Sequence, residues 1–172
     1  MKGCPCGGTG DRRRACKCSP HDRERYLARV SGPVLDRIDI HVQIPPVEFD
    51  AIAGKDRARP EGSAAVLERV MRARAIQRER CEGSHGGARM TAPLNARLTP
   101  EEIESFCALD REGETLIRHA MEKLGLSARG YHRVLRVART IADLAGSNAI
   151  TPGHVAEAIQ YRAMERRGEA AS

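Results

Sequence analysis

Aromatic side chains are nearly absent: the 172 residues hold no Trp, three Tyr and two Phe, 3% in all. A core built on stacked rings is thereby excluded, and burial has to come from Ala, Leu, Val and Ile. That composition suits packed helices better than a sheet sandwich, because small and γ-branched residues favour helix over strand. No apolar run approaches about 18 residues, so no membrane-spanning segment is expected. The first residues are rich in Cys and Arg rather than apolar, so no secretory signal is expected and the chain reads as cytoplasmic. No Gly-x-x-x-x-Gly-Lys-Ser/Thr segment occurs, so no loop of that kind is present to cradle nucleotide phosphates. Charge is plentiful in both signs: 29 basic residues, nearly all arginine, against 23 acidic ones, for a net +6 and a pI near 9.3. That balance is compatible with nucleic acid or nucleotide phosphates, but a solvated helical surface laced with Arg–Glu pairs accounts for much of it.

Helical periodicity dominates from the middle of the chain onwards. Residues 1–18 have no periodicity and read as loop. Ser19 as N-cap and Pro20 at the first helical position predict a short helix over 19–31, closed by Gly32-Pro33, with a further turn over 34–38. Ile38, Ile40, Val42 and Ile44 then alternate with polar residues, which predicts a strand over 38–44 with one buried face. A lone strand cannot form a sheet, so residues 1–50 read as the end of a larger α/β domain. Residues 51–62 read as a linker. From Ser63 to about Glu82 the spacing predicts a helix with Val66, Leu67, Val70 and Met71 on one apolar stripe, followed by a flexible connection over 83–98. Thr99-Pro100-Glu101-Glu102 carries the signature of a capping box. Helices are then predicted over 110–124, closed by Gly125, over 127–146, closed by Gly146, and from Thr151-Pro152 onwards. The apolar face of the 127–146 helix is Tyr131, Val134, Leu135, Ala138, Ile141 and Ala142.

The cysteines cluster at the start. Cys4 and Cys6, then Cys16 and Cys18, give C-x-C-x9-C-x-C on glycine-rich loops. Four thiols within fifteen residues suit zinc, which takes four soft ligands in a tetrahedron, and such a site would be structural because no position stays open for water. Two disulfides, disfavoured in a cytoplasmic chain, and four free thiols are the alternatives. Asp11, Arg12, Arg13 and Arg14 lie between the pairs, where positive charge would offset that of the thiolates. Cys107 follows Ile103 and Phe106 at helical spacing and reads as core; Cys81, His85 and His154 have no ligand-like spacing.

Two arginine sets stand out. Arg37 follows Gly32-Pro-Val-Leu-Asp36 and precedes the expected strand. Arginine can reach a γ-phosphate and neutralise charge there, although from composition alone an ordinary pair with Asp36 or Asp39 is the better reading. Arg129, Arg133 and Arg136 recur at i, i+4 and i+7, which on composition is a solvated stripe opposite the apolar face.

Four segments change that balance: Cys4-Pro-Cys6-Gly7, the second cysteine pair, Ser31-Gly-Pro-Val-Leu-Asp-Arg-Ile-Asp39, and Leu124-Gly-Leu-Ser-Ala-Arg-Gly-Tyr-His-Arg-Val-Leu-Arg-Val-Ala-Arg-Thr-Ile-Ala-Asp-Leu144. In this order they resemble the back half of the magnesium-chelatase-like AAA+ ATPases of YifB/ComM type. The resemblance covers essentially the whole chain. It implies a mainly α chain in which the C-terminal end of an α/β AAA+ core, with one or two strands, occupies 1–50, and a helical lid bundle occupies 63–167. It implies that Arg37 is the arginine finger toward a neighbouring subunit and Arg129 the sensor-2 arginine of its own. The implied cofactors are ATP with Mg, and the implied partners are other subunits of a homo-oligomeric ring and DNA, since ComM-type members act in branch migration during natural transformation. The family's Asn-Pro ahead of Cys-Pro-Cys is Lys2-Gly3 here, and no Walker motif is present, so this stretch is expected to be a C-terminal fragment without ATP hydrolysis of its own. A stand-alone zinc-binding module that grips DNA through its arginine stripes, and a non-functional remnant, are the other readings.

Overall fold

The fold is that of a computed structural model, which describes residues 3–10, 14–42, 44, 47, 61–84 and 94–163. The chain divides into two compact units, an N-terminal one reaching to Pro60 and a helical one spanning Glu61–Arg162. Most of the expected 51–62 linker, and His85 in the connection after it, lie outside the described residues.

The N-terminal unit carries two short helices, α1 (Pro20–Leu27) and α2 (Gly32–Arg37). α1 begins where its sequence says it should. Ser19 accepts a hydrogen bond from the Asp22 backbone N–H at 3.1 Å, and Asp22 reaches back to the Ser19 N–H at 3.3 Å, so two end donors are satisfied reciprocally. The expected strand is not formed: the described residues between 38 and 44 have no strand partner. Ile38, Ile40, Val42 and Ile44 are 43%, 48%, 66% and 84% exposed. The alternation is present, but a strand exists only through hydrogen bonds to a neighbour, and none pairs with this segment among the described residues.

The helical unit consists of α3 (Ser63–Ser84), a 3-10 turn (Asn95–Arg97), α4 (Pro100–Phe106), α5 (Arg111–Leu124), α6 (Ala128–Leu144) and α7 (Pro152–Ala163). Its β structure among the described residues is a single parallel bridge between Leu109 and Ile150. Each boundary has a chemical cause. The Thr99 and Glu102 side chains form the expected capping box at α4, Asp110 Oδ1 accepts from the Gly113 N–H at 2.7 Å at α5, and Ser127 Oγ accepts from the Gly130 N–H at 3.0 Å at α6. At the far end of α6, Gly146 adopts φ +69°. The Ser147 N–H bonds the Ala142 carbonyl and the Gly146 N–H the Asp143 carbonyl, a paired closure that a left-handed glycine makes inexpensive.

α6 is the axis of this unit and packs against α3, the 3-10 turn and α4. Val134, Leu135, Ala138 and Ala142 are buried and meet Leu98, Ile103, Ile117, Ile150 and Val155 in one cluster, with Tyr131 and Ile141 at its edge. Ala138 and Ala142, one turn apart on the same face, let neighbouring backbones approach closely. Cys107 belongs to this core, as its spacing indicated, and burial pushes its thiol up to about 11. α3 departs from expectation. Its stripe of Val66, Leu67, Val70 and Met71 is exposed, and the residues it buries run from its middle onwards, Ala73, Gln77 and Cys81. At about 1.5 Å per residue the helix is longer than the face of α6 it contacts, so its first turns pass beyond the core. No helix among the described residues is long and apolar enough to cross a membrane.

This division of α3 and α6 is measurable. Leu135→Ala removes a fully packed side chain and is expected to cost about 2–4 kcal/mol. Leu67→Ala, on the exposed stripe, is expected to change stability by less than about 0.5 kcal/mol. Urea unfolding of both variants checks the contrast; equal losses would contradict the packing described.

Candidate functional site

The four cysteines of the first loop converge. All four Sγ atoms lie within 4.8 Å of one another. Cys4–Cys6, Cys4–Cys16 and Cys6–Cys16 are separated by 3.5, 3.6 and 3.8 Å. Those separations are far from the ~2.05 Å of a disulfide. They match the ~3.8 Å edge of a tetrahedron whose centre lies ~2.3 Å from each sulfur, the zinc–thiolate arrangement. Every cysteine in the chain is free, so the disulfide alternative is not realised.

Local chemistry prepares the cluster. Thr9 donates its N–H to Cys4 Sγ at 3.3 Å and its hydroxyl to Cys16 Sγ at 3.4 Å, and the Gly8 N–H donates to Cys6 Sγ at 3.4 Å. Bonding from the Thr9 side chain, against the opposing effect of burial, holds the Cys4 thiol down at about 5. The backbone N–H groups of Gly8 and Lys17 lower Cys6. For Cys18 the Cys6 N–H pulls down, but the neighbouring Cys6 and Cys16 sulfurs together with burial push it up to about 12. Gly8 permits the two cysteine loops to meet: a Cβ there would lie 3.0 Å from the Arg14 carbonyl oxygen and 3.1 Å from Cys16 Cα, both backbone atoms. Of the residues between the pairs, Arg14 is exposed, and Asp11, Arg12 and Arg13 lie outside the described residues.

Arg37 is the last residue of α2 and is exposed, with half-buried Asp36 before it and exposed Asp39 after it. Arg129 lies in the first turn of α6, two residues past the Ser127 cap, and is exposed. The structure thus brings Cys4, Cys6, Cys16 and Cys18 together, and places Arg37 and Arg129 on separate units. The arginine stripe beginning at Arg129 is not uniformly solvated. Arg133 and Arg136 are half-buried, and Arg136 donates to the Leu98 carbonyl, which ties α6 to the segment leading into α4.

One buried polar network was not anticipated. Asp143 is 1% exposed on α6 and receives Arg139 Nε at 3.0 Å, Arg80 from α3 through both guanidinium nitrogens, and Asn95 Nδ2 at 2.8 Å. Asn95 Nδ2 also reaches Thr140 Oγ1 at 3.0 Å, and the remaining Arg139 nitrogens donate to the Ser147 and Asn148 carbonyls at 2.6 and 2.8 Å. The available signal was an Arg–Asp pair at i, i+4 on the face shared with Leu135 and Ala142, where solvated charges do not belong. At α7 the His154 ring nitrogen accepts from the Thr151 N–H at 3.1 Å, a capping role rather than a ligand role.

Two family models account for this division of the chain. Magnesium chelatase, subunit ChlI, matches residues 1–52, and the C-terminal model of the same subunit matches residues 60–162. The chain belongs to the magnesium-chelatase-like family. Within that family it is of the ComM/YifB type: it is 42% identical over 150 residues to competence protein ComM of Haemophilus influenzae and 41% identical over 150 residues to YifB of Escherichia coli. An uncharacterised Mycobacterium bovis protein is 34% identical over 161 residues. These alignments cover 87%, 87% and 92% of this chain but 27%, 28% and 29% of the relatives, so the chain spans less than a third of their length.

The network predicts a specific stability loss. Asp143→Ala leaves the buried Arg139 and half-buried Arg80 guanidinium groups facing an empty position and is expected to cost about 3–5 kcal/mol. Thr140→Val, which removes one neutral bond, is expected to cost about 1 kcal/mol. Thermal unfolding of the two variants measures the gap, and near-equal melting temperatures would contradict the central role of the carboxylate.

Proposed function

We propose that this chain supplies the C-terminal part of a magnesium-chelatase-like AAA+ ATPase of ComM type, giving two arginines to ATP–Mg sites in a homo-oligomeric ring that processes DNA in the cytoplasm. Residues 1–50 form the end of the AAA+ core in this reading, 51–62 a linker, and 63–167 the helical lid. The observation that carries it is the placement of both family arginines as exposed ends of structured helices, Arg37 closing α2 and Arg129 in the first turn of α6.

Arg37 acts as the arginine finger. Its planar guanidinium matches the oxygens of a transferring phosphoryl group, so presented to a neighbour's γ-phosphate it stabilises the charge that builds during hydrolysis. Arg129 acts as the sensor-2 residue toward the nucleotide of its own subunit. Its position at a helix N-terminus adds the favourable field of that helix end to its own charge. The four thiolates of Cys4, Cys6, Cys16 and Cys18 hold a structural zinc ion, supported by sulfur separations that match a tetrahedral edge. DNA as the target is supported by the likeness to a protein named for competence and by the net charge of +6.

A chimera tests the assignment: residues 1–172 replace the matching C-terminal segment of Escherichia coli YifB, and ATP turnover and nucleotide affinity are measured separately. Arg37→Ala is expected to lower turnover by roughly 10³-fold or more with little change in ATP affinity. Arg129→Ala is expected to weaken nucleotide binding. Turnover within about twofold of the parent chimera in Arg37→Ala removes the finger assignment.

A further inference from the structure

We infer that the thiolate cluster is the folding nucleus of the N-terminal unit, so that metal binding sets the course of α1 and α2 and makes the four cysteines positioning residues for Arg37. This deepens, and rests on, the zinc reading given above. The observation behind it is what the unit lacks. Among its described residues Cys4, at 0% exposure, is the one buried apolar side chain, whereas the helical unit buries a continuous apolar cluster. α1 buries no residue, and Val34 of α2 is 47% exposed.

Neither helix can sustain itself. α1 has eight residues and α2 six, and isolated helices shorter than about 12–15 residues are marginal in water. The Ser19–Asp22 capping box and Pro20 favour a start at one place, but they hold a helix only once its first turn is fixed. Cys18 supplies the fixed point. It is the residue before the cap, so a metal bound to its sulfur anchors the chain immediately ahead of α1. From there the chain runs through α1 and a four-residue connection, 28–31, into α2 and Arg37. The cluster is built for a bound cation rather than for loose thiols: the Thr9 and Gly8 N–H groups point at sulfur, and Gly8 lets the two loops touch backbone to backbone. Segments whose described residues bury little apolar surface gain folding free energy from such a metal. The helical unit has its own core and needs none.

The whole 172-residue chain, purified with zinc present, serves for the test. Metal is counted by elemental mass spectrometry, and amide hydrogen exchange is followed before and after a zinc chelator. The expected result is about one zinc per chain. Chelation is then expected to speed exchange in 20–27 and 32–37 by roughly tenfold or more, with residues 134–142 unchanged and zinc re-addition restoring protection. Gly8→Ala, which keeps every thiol, is expected to need more zinc for the same protection. Zinc that binds and leaves without altering exchange in 20–37 overturns the inference while leaving the zinc site standing. Equal acceleration in 134–142 overturns the claimed independence of the two units. Absence of zinc from protein with reduced thiols overturns both the zinc reading and this inference.

Discussion

The Asp143 carboxylate is the interaction on which the helical unit depends. It is buried on α6, and its partners come from three places: Arg80 on α3, Asn95 on the 3-10 turn, and Arg139 one turn earlier on its own helix. A buried charge is tolerable only when paired and fully hydrogen-bonded, so satisfying this one group fixes the register of three elements at once. Arg139 extends the constraint to the closing turn by binding the Ser147 and Asn148 carbonyls. The apolar cluster around Val134 and Ala138 supplies burial, and the carboxylate supplies the unique arrangement. Arg129 lies fourteen positions before Asp143 on the same helix, about 21 Å away along its axis, and a helix gripped at one end is a rigid arm for the residue at the other.

The N-terminal unit is organised on a different principle. It has short helices and almost no buried apolar surface among its described residues, but four sulfurs gathered within 4.8 Å of one another. One unit is held by packing around a charge; the other gathers four sulfurs about one point. Each presents one exposed arginine, Arg37 or Arg129, at a helix terminus, and the two units correspond to two separate models of the same subunit.

Local chemistry was legible in the sequence wherever its partners were local. Ser19, Thr99, Asp110 and Ser127 cap the helices they precede, and Gly125 and Gly146 end the helices they follow, because capping is decided within four or five residues. The apolar face of α6 followed from its period, and the gathering of the four cysteines from their spacing. What failed depended on distant or absent neighbours. The alternation over 38–44 describes a segment able to join a sheet, but pairing requires a second strand. Period puts Val66, Leu67, Val70 and Met71 on one stripe of α3, but period does not say which part of a helix its neighbours cover. The burial of Arg139 and Asp143 is not legible because sequence spacing does not reveal Arg80, sixty-three residues before Asp143, as a partner of the carboxylate.

The central proposal is that this chain brings Arg37 and Arg129 to a nucleotide. The direct measurement is ATP hydrolysis by the purified 172-residue chain, with and without DNA. The account predicts no turnover above background in either condition. Clear, DNA-stimulated hydrolysis that disappears in Arg37→Ala or Arg129→Ala would contradict it, because the chain would then build a complete nucleotide site from residues not recognised as one.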